Sequence, residues 1–174
     1  MIVLKNILVA TDFSDPSSAA LAYGRELARS FGASMTVVHV VDDITVRAYG
    51  VDSGVFMTDP QVQRQFEAEA RALVDAAISD EDRLQLKAED RLQLKASAVV
   101  LKSSAPASAI VAYAQESRTG LIVMGTHGRG GVAHLLMGSV SERVVQTAPC
   151  PVLTVRHPEH EFIQPDALVA VASA

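Results

Sequence analysis

The sequence predicts an α/β fold built on one doubly wound sheet of five parallel strands, and two observations favour this class. Five short runs of mainly aliphatic residues are apolar at odd and even positions alike, which is typical of strands buried on both faces of a parallel sheet. Segments with helical periodicity separate these runs, and strands that alternate with helices indicate right-handed β-α-β crossovers. The length of 174 residues suits a single domain.

The predicted strands begin with the first residues of the chain. Their sequences are VLKNILVA at 3–10, MTVVHVVD at 35–42, ASAVVLK at 96–102, GLIVMG at 120–125 and PVLTVR at 151–156. The apolar start could be mistaken for a signal peptide, but no basic stretch precedes it and Asp12 interrupts it early. We therefore interpret it as a strand and expect a cytoplasmic protein.

The first predicted helix has recognisable ends. Asp15 is the expected N-cap, Pro16 takes the first helical position, and Gly32 is the expected C-terminal stop. The side chains expected to face the core are Ala20, Gly24, Leu27, Ala28 and Phe31.

Three further helices are predicted at 61–80, 107–117 and 139–147. In each of them the apolar residues recur at helical spacing, which places them on one face. The residues expected to face the core are Phe66, Ala70, Leu73, Ala77 and Ile78, then Ile110 and Ala114, then Val140 and Val144.

One feature interrupts the alternation of strands and helices. The octapeptide EDRLQLKA at 81–88 is repeated unchanged at 89–96. A tandem of this length is too short for a repeat architecture, and we interpret it as a local duplication without a functional role. The expected domain spans residues 1–156 and contains the duplication, and residues 157–174 form a C-terminal tail.

Charge and hydropathy exclude two classes of partner. The chain carries 15 Lys and Arg against 20 Asp and Glu, a net charge of −5, so we expect no nucleic-acid partner. No apolar run approaches the ~20 residues of a membrane helix, so we expect no membrane partner. Cys150, the only cysteine, lies between two prolines and is interpreted as a structural thiol rather than a nucleophile.

The stretch GTHGRGGVAHLLMGS at 125–139 is the main candidate for a binding site. It follows a predicted strand and so lies at the edge of the sheet where open α/β folds bind ligands. It lacks the Gly-Lys-Ser/Thr of a Walker A loop. It also fails the dinucleotide pattern G-x-G-x-x-G, because Ala133 stands at the third position and the loop follows the fourth strand.

The end of this stretch predicts an anion site. Residues 139–142, with the sequence SVSE, fit a capping box that would place Gly138 and Ser139 at the amino end of the last helix. Unpaired N–H groups and the positive end of the helix dipole would then converge there and favour a phosphate.

The spacing Gly125-x2-Gly128-x9-Gly138-Ser139 resembles the signature of the ATP-binding branch of the universal stress protein family. Further matches follow in order: DFS at 12–14, His-Val at 39–40, P-A-x-x-I from Pro106, MGTHGR at 124–129 and PCPVLTVR at 149–156. The chain departs from the family at Ser104, where a glycine is usual, and the duplication and the tail lie outside the pattern. The resemblance implies a Rossmann-like, adenine nucleotide α-hydrolase-like sheet with the strand order 3-2-1-4-5.

The resemblance also implies how ATP, or ADP or AMP, would be held. Asp12 would bind the ribose side and help to order a metal such as Mg²⁺ or Mn²⁺, Ala10 would line the adenine pocket, and the Val40 backbone would contact the base. The residues expected around the ribose and phosphates are Met124, Gly125, His127, Gly128, Arg129, Gly138, Ser139 and Val140.

The activity implied is that of a cytoplasmic homodimer, paired through residues 151–156, that acts as a nucleotide-dependent regulator of an unidentified protein partner. Catalysis would be limited to slow ATP hydrolysis or autophosphorylation, since the loop contains no lysine. The alternative is a dimeric interaction module that uses the glycine loop only as a turn. An ATP pyrophosphatase or adenylating enzyme is less favoured, because ATDFSD replaces the serine-glycine-rich loop expected after the first strand.

Overall fold

The structure, a computed structural model, describes residues 2–44, 60–78, 96–126 and 137–156. Strands and helices alternate through these residues, and each corresponds to a predicted element with its ends shifted by a few residues. The elements are β1 (Asn6–Ala10), α1 (Asp15–Phe31), β2 (Ser34–Val41), α2 (Pro60–Ala77), β3 (Ala96–Lys102), α3 (Pro106–Glu116), β4 (Leu121–Gly125), α4 (Ser139–Thr147) and β5 (Val152–Val155).

The strands form one parallel sheet in the order β3-β2-β1-β4-β5, which confirms the predicted fold class and strand order. In the centre, Ala10 of β1 is paired with Val38 of β2 and with Met124 of β4. The strand order reverses between β1 and β4, and the crevice at the carboxyl ends of two such strands is where open α/β sheets bind ligands.

Each face of the sheet has its own apolar core. β1 contributes Ile7 and Val9 to the core beneath α1 and α2, and Leu8 and Ala10 to the core beneath α3 and α4. Burial on both faces explains why the predicted strands are apolar at odd and even positions.

The ends of α1 differ in part from the prediction. The N-cap is Ser14, and Asp15 is already helical, so the predicted N-cap was wrong by one residue. The Ser14 hydroxyl donates to Asp12 instead of capping the helix. Gly32 ends the helix in the left-handed conformation, with φ of 60°, as predicted. Phe31, predicted to face the core, is exposed.

α2 faces the sheet only partly as predicted: Ala70 and Ile78 are buried and Ala77 packs against the core, but two other predicted residues do not. Phe66 and Leu73, expected in the core, are each 50% exposed, whereas Gln63, Ala70 and Val74 are buried. The short side chains of Ala70 and Val74 let the helix approach the sheet more closely than a face of Phe and Leu would allow.

Gln63 holds this orientation by bonding to the main chain that follows β2. Its Nε2 donates to the carbonyl oxygen of Asp42 at 3.3 Å, and its Oε1 accepts from the N–H of Ile44 at 3.2 Å. The buried Gln63 amide thus has hydrogen-bond partners for both its nitrogen and its oxygen. A polar residue therefore takes an inward position of α2 that the apolar pattern did not predict.

The remaining helices follow the prediction more closely. Ile110 and Ala114 of α3 and Val144 of α4 are buried, and Val140 is half-buried. The first copy of the octapeptide at 81–88, residues 89–95 of the second copy and the tail at 157–174 lie outside the described residues.

The contact of α1 with β1 gives the first testable prediction. A Cβ on Gly24 would overlap the Cγ2 of Val9, a fully buried and β-branched side chain with little freedom to move. Although alanine is the better helix former, Gly24→Ala should lower the free energy of unfolding by about 1–2 kcal/mol, because overpacking outweighs helix propensity here. Urea denaturation measures this change.

The matched control is Gly120→Ala. Its Cβ would meet the Asn6 carbonyl oxygen at 3.4 Å, an ordinary contact, so stability should change by less than about 0.5 kcal/mol. A Gly24→Ala protein that is as stable as the unsubstituted chain would contradict the packing explanation.

Candidate functional site

The turn that follows β1 carries Asp12 at the edge of the sheet. The Asp12 carboxylate accepts hydrogen bonds from the N–H and the hydroxyl of Ser14, at 3.2 and 2.5 Å. The next residue, Phe13, has a φ of 62°, a left-handed conformation that costs a non-glycine residue about 1–2 kcal/mol. The turn is held in this conformation by its neighbours.

Thr11 and Ser17 hold the inside of the turn. The Ser17 hydroxyl donates to the Ser14 carbonyl oxygen at 2.8 Å, and its oxygen lies 3.1 Å from the Thr11 hydroxyl. Because each hydroxyl has one hydrogen, Thr11 must donate to Ser17 in this pair. The Thr11 hydroxyl oxygen is then free to accept from the N–H of Phe13 at 3.0 Å.

His39 of β2 contacts the same turn from the other side. Its Nδ1 lies 2.8 Å from the Thr11 carbonyl oxygen, and its ring centroid lies 4.6 Å from that of Phe13. The His39 side chain is half-buried.

A cleft of about 460 Å³ adjoins this turn, on the side of α2. Phe66 and Leu73 form part of its apolar wall, which explains why these two side chains are not in the core. Two predicted nucleotide contacts, Asp12 and Val40, lie at its rim on the strand side. The residues that line the cleft are Asp12, Phe13, His39, Val40, Val41, Asp42, Ile44, Phe66, Glu69, Ala70 and Leu73.

The end of β4 is bonded directly to the start of α4. The buried Ser141 hydroxyl donates to the Gly125 carbonyl oxygen at 2.8 Å, and the Gly138 N–H donates to the Thr126 carbonyl oxygen at 2.6 Å. The Thr126 N–H in turn donates to Val155 of β5 at 2.9 Å. The two ends of the glycine-rich stretch therefore meet at one point of the sheet edge.

Gly125 has a packing reason to be glycine. A Cβ at this position would lie 2.8 Å from the carbonyl carbon of Pro16 and 2.9 Å from its Cβ. The first turn of α1 therefore lies directly against the end of β4, which brings the turn of Asp12 next to the start of α4.

The predicted capping box is wrong. The N-cap of α4 is Gly138, and no side chain caps the helix. Ser139 is the first helical residue and its side chain is exposed, while Ser141, the second serine of the motif, bonds to Gly125. The Ser139 hydroxyl is thus not used as a cap.

The first turn of α4 has the features of an anion site that the sequence predicted. The N–H groups of Ser139, Val140 and Ser141 have no acceptor four residues earlier in the helix, and the helix dipole is positive there. The Gly138 N–H does not belong to this set, because it donates to Thr126.

The structure places the predicted site residues in three groups. Ala10 and Met124 are buried in the core beneath α3 and α4, with Val40 and Val140 packed against it. Asp12 lies on the β1–α1 turn, and Gly125, Gly138 and Ser139 lie at the junction of β4 and α4. His127, Gly128 and Arg129 lie outside the described residues.

Sequence reasoning missed the roles of Thr11 and Ser141. Both are buried polar residues that fix main-chain groups next to the candidate site. The SVSE motif contained Ser141, but the wrong serine was given the structural role. For Thr11 the available signal was a hydroxyl directly after an apolar strand.

Neither a metal cluster nor a reactive thiol emerges from the described ranges. No group of three or more His, Cys, Asp or Glu residues with metal-binding geometry occurs among residues 2–44, 60–78, 96–126 and 137–156. Burial raises the pKa of the Cys150 thiol, although a backbone hydrogen bond from Ile122 opposes the shift. The raised pKa keeps the thiol protonated at neutral pH, as expected of a structural cysteine.

In the same part of the chain, every helix is too short or too polar to cross a bilayer.

The sequence matches the model of the universal stress protein family over residues 4–156. A universal stress protein of Thermus aquaticus is 33% identical over 154 residues, which cover 88% of this chain and 100% of the relative. One of Methanocaldococcus jannaschii is 31% identical over 160 residues, which cover 90% of this chain and 85% of the relative.

Solved structures of this family share the fold. The universal stress protein of Lactobacillus plantarum has a TM-score of 0.69 and 28% identity, covering 90% of this chain and 100% of its own. Two neighbours at 24% identity show the fold alone. The universal stress protein of Archaeoglobus fulgidus in complex with dAMP has a TM-score of 0.56, covering 89% of this chain and 99% of its own. A universal stress protein in complex with cAMP has a TM-score of 0.57, covering 90% and 99%.

The junction of β4 and α4 gives the second prediction. Ser141→Ala removes the hydroxyl that bonds to the Gly125 carbonyl, so the free energy of unfolding should fall by about 1–2 kcal/mol. Urea denaturation without nucleotide measures the change.

The matched control lies two residues away on the same helix. Ser139 is exposed and does not cap α4, so Ser139→Ala should alter stability by less than about 0.5 kcal/mol. If the free energy of unfolding falls equally in the two variants, the buried hydrogen bond of Ser141 does not stabilise the protein as predicted.

Proposed function

This chain belongs to the universal stress protein family, and we propose that it binds an adenine nucleotide at the carboxyl edge of its sheet and acts as a nucleotide-dependent regulator. The observation that carries the proposal is the junction of β4 with α4, which presents a helix N-terminus beside the turn of Asp12. Relatives of the same fold that hold dAMP and cAMP support an adenine nucleotide as the ligand.

The phosphates bind at the first turn of α4. The N–H groups of Ser139 and Val140 and the exposed Ser139 hydroxyl are the donors in this proposal, and the helix dipole adds positive potential. Arg129, with His127 and Gly128 of the loop, completes the phosphate and ribose contacts.

The nucleoside binds across the carboxyl ends of β2, β1 and β4. The Asp12 carboxylate accepts from a ribose hydroxyl, and the Val40 backbone contacts the base, while Ala10 and Met124 form the apolar floor. ATP, or ADP or AMP, is the proposed ligand, and Mg²⁺ or Mn²⁺ enters with the phosphates and is ordered with the help of Asp12.

The proposed role is regulation rather than turnover. The loop at 125–139 contains no lysine to hold a transferring phosphate, so hydrolysis or autophosphorylation is slow at most. Nucleotide occupancy biases the order of this loop and thereby the binding of a protein partner in the cytoplasm.

The proposed homodimer forms through residues 151–156. β5 is an edge strand of the sheet. The Pro151 carbonyl accepts from Ile122 of β4 and the Val155 carbonyl accepts from Thr126, the residue after β4, so the N–H and C=O groups of Val152 and Thr154 point to the open edge. Such an edge can pair with a second copy of the chain.

One observation favours the alternative, a dimeric interaction module without a nucleotide. Two glycines of the motif have structural reasons of their own, since Gly125 packs against Pro16 and the Gly138 N–H bonds to Thr126. Binding measurements separate the two functions, because the module would bind its partner with the same affinity whether or not ATP is present.

The third prediction tests the nucleotide site by calorimetry with ATP and with adenosine. Ser139→Ala should weaken ATP binding by about fivefold, the value of one hydroxyl hydrogen bond, and leave adenosine binding unchanged, because only ATP has phosphates. Thr147→Ala, which alters an exposed hydroxyl at the far end of α4, is the control and should change neither affinity.

The proposed function fails if the full chain binds no adenine nucleotide in calorimetry and none copurifies with it by mass spectrometry. Equal weakening of ATP and adenosine by Ser139→Ala would instead contradict the placement of the phosphates.

The fourth prediction concerns the dimer. Thr154→Pro removes an N–H that faces the open edge while preserving the bonds between β5 and β4, so it should convert the dimer to a monomer in light scattering. Thr154→Val keeps the N–H and should remain dimeric. A dimer that survives the proline substitution would place the interface elsewhere.

A further inference from the structure

We propose that His39 is a positioning residue of the nucleotide site. Its imidazole takes the place of the main-chain donor that would form the next hydrogen bond of the β1–β2 ladder. It thereby fixes the turn that carries Asp12 and directs the Val40 N–H to the ligand. The inference rests on the proposed function. It is based on the hydrogen bonds at the point where the pairing of β1 with β2 ends.

The ladder between these strands ends in an unusual way. The last pair is Ala10 with Val38, and the Thr11 N–H still donates to the Val38 carbonyl oxygen at 2.9 Å. In a parallel ladder that continued, the Thr11 carbonyl would accept next from the N–H of Val40. Instead it lies 2.8 Å from Nδ1 of His39.

This contact fixes the hydrogen on the imidazole. A carbonyl oxygen can only accept, so Nδ1 of His39 must carry the hydrogen and donate. The His39 side chain of β2 thus donates to the Thr11 carbonyl in place of the Val40 N–H of the same strand.

The replacement directs the Val40 backbone toward the crevice. The Val38 carbonyl points to β1 and the Val41 carbonyl accepts from Ser103 beyond β3, so main-chain groups of β2 alternate between its two neighbours. The N–H and C=O of Val40 therefore point to the side of β1, past its last paired residue. A donor and an acceptor from one residue match the edge of an adenine base.

His39 also contacts the residue on the other side of Asp12. Its ring lies 4.6 Å from that of Phe13, with the planes inclined by 42°. Phe13 is in the left-handed region, where a non-glycine residue needs its surroundings to hold it. His39 therefore holds Thr11 by a hydrogen bond and Phe13 by ring contact, and Asp12 lies between them.

Without the imidazole donor, the ladder can continue by one bond. The Thr11 carbonyl would then take the Val40 N–H, which would remove a base contact and pull the turn with Asp12 toward β2. The effect falls on the nucleoside end of the ligand, whereas Ser139 acts on the phosphate end.

The test compares two substitutions in the full chain, with adenosine and ATP as probes. His39→Phe keeps an aromatic ring beside Phe13 but has no donor, and it should weaken both ligands by about tenfold. His39→Asn places an amide N–H near the position of Nδ1, and its affinities should stay within about threefold of the unsubstituted protein.

A double-mutant cycle separates positioning from general destabilisation. In an Asp12→Asn background, His39→Phe should weaken adenosine by clearly less than tenfold, because part of its effect passes through Asp12. A full tenfold loss in that background, or equal losses for His39→Phe and His39→Asn, would overturn the inference.

Amide hydrogen exchange of the unsubstituted protein tests the same point without any variant. The Val40 amide should exchange rapidly in the free protein and become protected with adenosine. Protection in the free protein would overturn the role of His39 even if nucleotide binds, whereas a chain that binds neither adenosine nor ATP would overturn the proposed function itself.

Discussion

The candidate site depends on the contact of Gly125 with Pro16. No side chain fits between them, since a Cβ at 125 would lie 2.8 Å from the Pro16 carbonyl carbon. The backbone at the end of β4 therefore touches the first turn of α1. This contact sets where α1 begins, and with it the short turn between Ala10 and Asp15 that must present Asp12.

The same end of β4 sets the position of α4. Ser141 bonds to the Gly125 carbonyl, and Gly138 bonds to the next carbonyl along the chain, that of Thr126. Thr126 is anchored in turn to β5. The N-terminus of α4 is thus held by hydrogen bonds to the end of the sheet.

The sheet could be predicted from the sequence because its evidence is local. Five apolar runs with helices between them determine a parallel sheet, and the resemblance supplied the strand order. The face of α2 could be predicted only in part, because Gln63 becomes an inward residue through its bonds to Asp42 and Ile44. Those partners precede it by about twenty residues, and no periodicity within α2 reveals them.

The candidate site could likewise be predicted only in part from the sequence. The spacing of the glycines located the junction of β4 and α4, but an SVSE motif alone does not tell whether its first serine caps the helix or already lies inside it. The bond from Ser141 to Gly125 decides that question, and it joins residues from two elements. Likewise, the contact of His39 with the Thr11 carbonyl joins β2 to the end of β1, and no pattern within β2 reveals it.

The motif glycines and the polar groups therefore contribute different things. Gly125 allows close packing, and the Gly138 N–H is already bonded within the protein, so neither glycine by itself requires a ligand. The polar groups at this edge of the sheet are the first N–H groups of α4, the exposed Ser139 hydroxyl, the Asp12 carboxylate, which also accepts from Ser14, and the backbone of Val40. The donors of α4 match an anionic group, such as a phosphate. The Asp12 carboxylate and the N–H and C=O of Val40 match hydroxyls and a polar ring. A molecule that carries an anionic group at one end and hydroxyls with a polar ring at the other has the chemical form of a nucleotide.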